Sequence, residues 1–405
     1  MSTSLSAAPA AGARPSVAII GGGIIGLAIG WRLAAAGCRV DIFEKGRAGQ
    51  GASHAAAGML AAGAEAEPGE QRLLPLCLES RSRWRGFAAE LEAASGQPVG
   101  LRDEGTLIVA LTRDDVEVMR VNHQFQRGLG IESHWLTGAQ VKELEPFLTP
   151  RAVAGVLSPL DNQVDNRRAT AALRVAFERA GGRLHEDSPV EAVDAEAGRV
   201  RGVVVGGRAH AADMVVLAAG AWSRQIAGLP AAAVPPVRPV KGQLLSVAMD
   251  PAAPLLRHVL WAPKCYMVPR ADGTLIIGGT TEEKGWDDSL TAGGVLAMLE
   301  GAWRTLPGIE ELRISEMWTG FRPGSRDDAP LLGPVAGVDG LVLATGHHRN
   351  GILLTPVTAD LVAGFILTGR QDPLMQPFGL DRFAATAAAA AANPMPAGVP
   401  AGVPA

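Results

Sequence analysis

The sequence is poor in cysteine and has no excess of charge of either sign. Its three cysteines, Cys38, Cys77 and Cys265, show no paired spacing, which argues against a C-x-x-C metal or redox site and is typical of a reducing compartment. The formal net charge is −4 and no basic stripe occurs, so nucleic acid is not an expected partner. The histidines show no ligand spacing such as H-E-x-x-H, and no metal site is predicted.

Long apolar runs are also missing. Trp31-Arg32 ends one candidate run and Asp360 interrupts another, so no segment is predicted to span a membrane. Residues 1–15 lack the apolar core of a secretory signal, and a soluble, cytoplasmic protein is expected. Residues 1–15 and the Ala/Pro/Gly-rich stretch 387–405 have no periodicity, which predicts disordered tails.

The sequence does contain a glycine-rich turn behind a short apolar run. Val17–Ile20, flanked by Pro15 and by glycines, is typical of a buried parallel strand. It leads into Gly21, Gly23 and Gly26, which have the spacing G-x-G-x-x-G. In a dinucleotide-binding unit, the first glycine permits a tight turn, the second lets a pyrophosphate approach the backbone, and the third lets the following helix pack close to the strand.

An acidic residue completes this unit. A helical stretch to Ala36 and a second strand over Cys38–Phe43 lead to Glu44, which lies 18 residues beyond Gly26. An acid at this position accepts hydrogen bonds from ribose hydroxyls and argues against a 2′-phosphate, while the helix N-terminus offers N–H groups to phosphates. The unit predicts a bound dinucleotide, either nicotinamide or flavin. The alternative is a glycine-rich turn without a ligand.

The length of 405 residues indicates two domains rather than one. Strand-like and helical segments alternate, which predicts an α/β protein. Its Rossmann-type dinucleotide-binding domain is expected to be interleaved with an α+β substrate domain built on an antiparallel sheet. The first domain is predicted over residues 16–80, 150–230 and 318–370, and the second over residues 81–149 and 231–317.

Five stretches together resemble the D-amino-acid oxidase family of FAD-dependent enzymes, most closely its glycine-oxidising branch. They are GGGIIGLAIG, SHAAAGML, KCYMVPR, GFRPGSRDDAPLLGP and GHHRNGILLTP. The resemblance covers roughly residues 16–370. The last two stretches, at their separation, are specific to this family rather than to dinucleotide folds in general, so they favour a flavin over a nicotinamide.

The resemblance implies a non-covalent FAD in a domain of the glutathione-reductase type. A helix start near Gly351 is expected to direct N–H dipoles at the flavin ring. The cofactor-binding residues that the resemblance implies are Gly21, Gly23, Ile24, Ile25, Gly26, Glu44, Lys45, Ala52, Ser53, Ala57, Gly58, Met59, Val190, His347, His348, Arg349, Asn350, Gly351, Ile352 and Leu353.

The resemblance also implies three substrate-binding residues, Arg322, Arg349 and Tyr266. A guanidinium binds an amino-acid carboxylate through a planar pair of hydrogen bonds, and Tyr266, the only tyrosine of the chain, would add another donor. The implied reaction converts glycine and other small primary or secondary amines, such as sarcosine and D-amino acids, to the imine or oxo acid with ammonia and hydrogen peroxide. The flavin carries this chemistry. No protein general base is required if the amine binds deprotonated, and none is evident in the sequence.

Two rival functions stay open. One is a quinone-linked dehydrogenase of the same fold that acts on D-amino acids or N-methyl amino acids, because one fold supports both activities. The other is a flavin-binding regulatory module without turnover, against which the pair Arg322 and Arg349 argues. The resemblance further implies dioxygen as the second substrate, a homotetramer, and transfer of the imine to a thiazole synthase for thiamine synthesis.

The chain departs from the family pattern at two places. Ala52 and His54 stand where relatives often have hydroxyl residues, which leaves Ser53 as the obvious side-chain donor to a pyrophosphate. His348 stands where relatives commonly carry Phe or Tyr, and it either packs as an imidazole or contacts substrate or flavin. Cys265 lies outside the position expected for a covalent flavin link, and a buried structural thiol is predicted there.

Overall fold

The computed structural model describes residues 14–383, so the tails predicted at 1–15 and 387–405 lie outside the described residues except for Arg14 and Pro15. The helices are α1 (Ile24–Ala35), α2 (Ala52–Ala55), α3 (Leu74–Ser95), α4 (Arg113–Gly128), α5 (Gly138–Leu144), α6 (Asn166–Arg179), α7 (Ala292–Thr305) and α8 (Thr355–Thr368). The strands are β1 (Ser16–Ile20), β2 (Arg39–Phe43), β3 (Met59–Leu60), β4 (Thr106–Ala110), β5 (His134–Thr137), β6 (Ala154–Ser158), β7 (Asn162–Gln163), β8 (Arg183–His185), β9 (Val190–Glu196), β10 (Arg199–Val205), β11 (Arg208–Ala211), β12 (Met214–Leu217), β13 (Arg238–Ala248), β14 (Val259–Ala262), β15 (Cys265–Pro269), β16 (Thr274–Gly278), β17 (Arg313–Gly324), β18 (Leu331–Val335) and β19 (Val338–Thr345). Among the helices of residues 14–383, none is both long and apolar enough to cross a bilayer.

The first sheet has nine strands and contains the predicted βαβ unit. Its central strands run in the order β19-β12-β1-β2-β8 and pair in parallel, with Val17 opposite both Val40 and Met214. Helix α1 is apolar around nearly its whole circumference because it packs against β2, α6 and α8 at once. The predicted α/β class with a Rossmann-type parallel sheet is confirmed.

The second sheet has eight strands in the order β17-β13-β16-β15-β14-β4-β6-β5. Every pair in it is antiparallel except β4 with β14. Val141 of α5 and Met298 of α7 join strand side chains such as Leu245 and Met267 in a second apolar core. This is the antiparallel α+β unit that the sequence predicts.

The sheets and cores divide the chain at other residues than those predicted. Helix α3 continues through the boundary expected after residue 80, because Trp84, Phe87 and Leu91 are buried in the first core. Strand β6, expected in the cofactor domain, pairs with β4 and β5 in the second sheet. Strand β17 runs without a break across the boundary expected at residue 318 and pairs with β13 along its length.

A buried carboxylate joins the second sheet to α3. Asp161, just after β6, is fully buried and accepts hydrogen bonds from Gly63 N–H at 3.0 Å and Ser158 Oγ at 2.9 Å. It also pairs with Arg81 of α3, with 2.7 Å between Oδ1 and Nη1. A buried charge is costly unless it is paired and hydrogen-bonded, so this cluster favours one arrangement of the elements that it joins.

Replacing Asp161 by Ala should lower the free energy of unfolding by about 3–5 kcal/mol, because Arg81 would lose its partner inside the protein. Asp103→Ala is the matched control. Asp103 pairs with Arg85 of the same helix at 2.6 Å, but both side chains are more than half exposed, so a loss of about 0–1 kcal/mol is expected. Denaturant unfolding measures both, and equal losses would contradict the assigned role of Asp161.

Candidate active site

The glycine loop between β1 and α1 has the close contacts that its spacing predicts. Gly21 lies at φ +108°, and a Cβ atom there would come within 2.5 Å of the Ala218 carbonyl oxygen. A Cβ atom on Gly26 would lie 2.0 Å from the Gly21 carbonyl oxygen. Glycine at both positions therefore lets the loop lie against β12 and lets α1 pack close to β1.

The start of α1 offers hydrogen-bond donors. The N–H groups of Gly23 and Ile25 have no acceptor within residues 14–383. Ile24 N–H donates to Ser53 Oγ at 2.9 Å, so the Ser53 hydroxyl keeps its own proton for another acceptor. Glu44 Oε2 accepts from Gly22 N–H at 2.8 Å, which holds the carboxylate beside the loop. These groups fit the pyrophosphate and ribose of a dinucleotide.

A cavity of about 1050 Å³ is walled by residues of both sheets. All but two of the residues predicted to bind cofactor or substrate line it. The lining residues among those predicted are Gly21, Gly23, Ile24, Ile25, Glu44, Lys45, Ala52, Ser53, Ala57, Gly58, Met59, Val190, Tyr266, Arg322, His347, His348, Arg349, Asn350, Gly351 and Ile352. The exceptions are Gly26, which packs against Gly21, and Leu353, whose side chain is buried in the first core. Leu353 is therefore not a wall residue. Its carbonyl oxygen also faces α3, where it accepts a hydrogen bond from Trp84 Nε1 at 2.9 Å.

One wall of the cavity is formed by segment 52–60, which consists mostly of small residues. Its backbone carbonyls accept hydrogen bonds from side chains outside the segment. These bonds are Asn166 Nδ2 to Ser53 O at 2.7 Å, Trp318 Nε1 to Ala55 O at 3.1 Å and Arg270 Nη2 to Ala57 O at 2.6 Å. Because one donor comes from α6, which packs in the first core, and two come from β17 and the end of β15 in the second sheet, elements on both sides of the cavity position this wall.

Arg322, on β17, lies against the backbone of β13. Its Nη1 donates to Thr280 O at 3.0 Å, and a Cβ atom on Gly242 would lie 2.5 Å from Nη1. No carboxylate of residues 14–383 pairs with this guanidinium, which lines the cavity. Arg322 therefore has donors left for an anion in the cavity, and its binding of the substrate carboxylate stays a prediction.

Tyr266, on β15, lies with its ring over the backbone of β16. A Cβ atom on Gly278 would come within 2.5 Å of the Tyr266 hydroxyl oxygen. Burial raises the pKa of Tyr266, while the neighbouring Arg322 opposes the shift, so the phenol keeps its proton near neutral pH. Its hydroxyl is a hydrogen-bond donor in the same part of the cavity as Arg322.

The guanidinium of Arg349 does not have the surroundings predicted for a carboxylate-binding residue. Its Nε lies 2.7 Å from Glu65 Oε2, and its Nη2 lies 2.6 Å from Glu70 Oε2. These two carboxylates raise the pKa of Arg349 despite its partial burial, and they neutralise its charge. Arg349 lines the cavity, but its charged hydrogen bonds are directed at Glu65 and Glu70, so its binding of a substrate carboxylate stays a prediction.

The helix predicted to start near Gly351 starts later. Helix α8 begins at Thr355, and a short 3₁₀ turn over His348–Asn350 precedes it. The N–H groups of Ile352 and Leu353 have no acceptor within residues 14–383. These donors therefore lie between the 3₁₀ turn and α8, ahead of the first α-helical residue, Thr355.

The two histidines of this turn are both neutral near pH 7. His347 hydrogen-bonds Thr358 Oγ1 at 3.1 Å, and burial lowers the pKa of His347 to about 3. Burial likewise lowers the pKa of His348 to about 4. His348 lines the cavity in a left-handed conformation at φ +46°, and its buried Nδ1 has no hydrogen-bond partner within the described chain. Its wall position is compatible with both roles predicted for it, packing and ligand contact.

Sequence inspection missed several aromatic residues of the cavity. Trp222, Trp261 and Phe321 line it, and Lys45 Nζ lies 3.3 Å from the centroid of the Trp222 ring, a cation–π contact. No local spacing marks these residues, because they come from separate elements. Cys265 also lines the cavity, and burial raises the pKa of its thiol to about 12, so it stays protonated, as a structural thiol does.

Comparisons with known proteins agree with this geometry. A family model described as FAD dependent oxidoreductase (DAO) matches residues 16–364. Glycine oxidase of Geobacillus kaustophilus is 38% identical over 372 residues, covering 91% of this chain and 97% of that protein. The bifunctional protein ThiO/ThiG of Synechocystis sp. is 38% identical over 375 residues, which are 91% of this chain and 54% of that longer protein.

Solved structures show the same relationship. The crystal structure of glycine oxidase from Geobacillus kaustophilus superposes with a TM-score of 0.85 at 37% identity, covering 91% of this chain and 99% of that one. Glycine oxidase from Bacillus cereus superposes with a TM-score of 0.81 at 30% identity. Because the family model spans nearly all of the described residues, the chain belongs to the FAD dependent oxidoreductase (DAO) family.

Proposed function

We propose that this chain oxidises glycine and other small primary or secondary amines, including sarcosine and D-amino acids, with FAD as cofactor and dioxygen as electron acceptor. The products are the imine or oxo acid, ammonia and hydrogen peroxide. The observation that carries the proposal is the guanidinium of Arg322, which pairs with no carboxylate of residues 14–383 and lies in the wall of the cavity that also contains the glycine loop. The glycine oxidases that resemble the chain over most of its length support it.

The residues that would hold FAD are those of the cavity wall. Gly23, Ile25 and Ser53 offer donors to a pyrophosphate, and Glu44 offers a carboxylate to a ribose. The small residues of segment 52–60 leave room for a flat ring system close to the backbone. When bound, FAD supplies the oxidising chemistry by accepting a hydride from the substrate.

The protein's contribution is to bind and orient the amino acid. Arg322 and the hydroxyl of Tyr266 donate hydrogen bonds to the substrate carboxylate, which leaves the amine and the α-carbon to face the rest of the cavity. The cavity histidines His347 and His348 are neutral near pH 7, so no imidazolium stands in the cavity wall to protonate the substrate amine. The amine binds deprotonated, and the reaction requires no protein base.

Two features of the proposal concern partners. The imine would pass to a thiazole synthase in thiamine synthesis, and the fusion named in the bifunctional ThiO/ThiG relatives supports this step. The chain would assemble as a homotetramer in the cytoplasm, as the family resemblance implies. Sedimentation of the purified chain measures its oligomeric state directly.

The experiment that tests the function mixes the FAD-loaded protein with glycine in the absence of oxygen. We expect the visible flavin absorption to bleach, and we expect recovery with one hydrogen peroxide per flavin when air is admitted. Bleaching followed by slow recovery in air but rapid transfer to a quinone or dye would instead indicate the dehydrogenase. A flavin that stays oxidised with glycine, sarcosine and D-amino acids would contradict catalysis altogether.

Arg322→Met should raise KM for glycine by about 10–100-fold with a smaller change in kcat, because a charge-assisted hydrogen bond contributes about 1.5–3 kcal/mol. Arg322→Lys should recover part of this loss, since an ammonium keeps the charge but not the planar pair of donors. The control substrate is a small amine without a carboxylate, for which wild type and variant should have the same KM. Equal losses for both substrates would contradict carboxylate binding by Arg322.

A further inference from the structure

Arg270 is a buried cation for which residues 14–383 supply no acidic partner. The residue comes directly after β15 in the chain and is only 7% exposed. No carboxylate of residues 14–383 lies within ion-pair distance of its guanidinium; Asp165 and Asp272 act on it only at longer range. Burial lowers the pKa of Arg270 to about 10, so the group remains charged near pH 7 at a cost in desolvation.

Neutral oxygens surround the guanidinium on both sides. Nη1 donates to Val164 O at 2.7 Å and to Gln163 Oε1 at 3.0 Å. Nη2 donates to Ala57 O at 2.6 Å and to Asn166 Oδ1 at 2.9 Å. These four bonds satisfy the donors of the fork, but none of the acceptors carries a negative charge.

The fork spans the end of the two-stranded ladder that backs the cavity wall. Met59 of β3 pairs with Gln163 of β7, and Gly58 O accepts from Val164 N–H at 2.9 Å. Arg270 bridges the next carbonyls along the two paired segments, those of Ala57 and Val164. A Cβ atom on Gly58 would come within 2.8 Å of Nη2, so the guanidinium lies directly behind the backbone of Ala57 and Gly58, which line the cavity.

The arrangement places a positive charge one backbone layer from the cavity. In a low-dielectric interior, an uncompensated charge acts on groups several ångströms away more strongly than it would in water. No carboxylate of residues 14–383 forms an ion pair with this cation, so its charge acts on other groups nearby, including an anion in the cavity. In the proposed function, that anion is the reduced flavin, whose ring system gains negative charge and whose electronics respond to protein charges beside it.

We infer that Arg270 is a positioning residue with an electrostatic role: its fork holds the Ala57–Gly58 backbone at the cavity wall, and its uncompensated charge favours the reduced form of the FAD bound there. The inference rests on the proposed function only for the presence and placement of FAD. Asn166 belongs to the same hydrogen-bond network. Its Oδ1 accepts a hydrogen bond from Arg270, while its Nδ2 donates to Ser53 O at 2.7 Å.

The test measures the midpoint potential of bound FAD by equilibration with a reference dye during slow reduction, without any amine. Arg270→Met removes the charge and should shift the equilibrium at least tenfold toward oxidised flavin, which is about 30 mV for a two-electron couple. Arg270→Lys keeps the charge and should retain most of the wild-type potential. Asn166→Asp places a carboxylate beside the guanidinium and should shift the potential in the same direction as Arg270→Met.

Arg168→Met is the matched control, because Arg168 is a half-exposed arginine beside Asp165 and Asp272. Solvent screens the charge of Arg168. Removing that charge should therefore leave the flavin potential within roughly a few millivolts of wild type, as expected for an exposed charge. A wild-type potential in Arg270→Met, or equal shifts in Arg270→Lys and Arg270→Met, would overturn the electrostatic role.

Three further outcomes are decisive for this inference, and one of them separates it from the proposed function. If Arg270→Met does not fold, Asn166→Asp decides, and an unchanged potential in that variant overturns the inference. Because no amine enters the measurement, a protein that fails to oxidise glycine still gives the potentials. A wild-type chain that binds no FAD would overturn the inference and the proposed function together.

Discussion

The position of segment 52–60 is the constraint on which the cavity depends. The segment has few side chains large enough to pack, and buried backbone carbonyls must find donors. Asn166, Trp318 and Arg270 supply those donors from three different elements. The hydrogen bonds that satisfy the segment therefore also hold the two sheets in the relative position that encloses the cavity, and they leave a smooth wall against which a flat cofactor can lie.

Three arginines near this cavity differ in how their charge is compensated, and the difference determines what each can do. Arg322 pairs with no carboxylate of residues 14–383 and faces the cavity, so it is available to a substrate anion. Arg349 pairs with Glu65 and Glu70, which connects the turn after β19 to the segment between β3 and α3. Arg270 is enclosed behind the wall, where its charge acts through the backbone rather than by contact.

The sequence predicts best what depends on local spacing. The glycine loop, Glu44 and the parallel strand pair follow from a pattern within about thirty residues, and the structure places them as expected. The motifs also located Arg322 and Tyr266 at the cavity. The ion pair of Arg349 with Glu65 joins residues 284 positions apart, and Arg270 contacts Ala57 across 213 positions, so neither contact is visible in local spacing. The predicted domain boundaries differ from the division into sheets for a related reason. Strand β6 has a partner on each side in the second sheet, which only the folded chain reveals.

The central claim is that one cavity holds FAD and an amino-acid carboxylate side by side. Glycolate tests it most directly, because it has the carboxylate of glycine without the amine. Titrated into the oxidised, FAD-loaded protein, glycolate should change the visible flavin spectrum with saturation and should inhibit glycine turnover competitively, with an inhibition constant equal to the dissociation constant from the titration. An unchanged spectrum, or inhibition that glycine does not relieve, would place the carboxylate outside the flavin cavity and contradict the account.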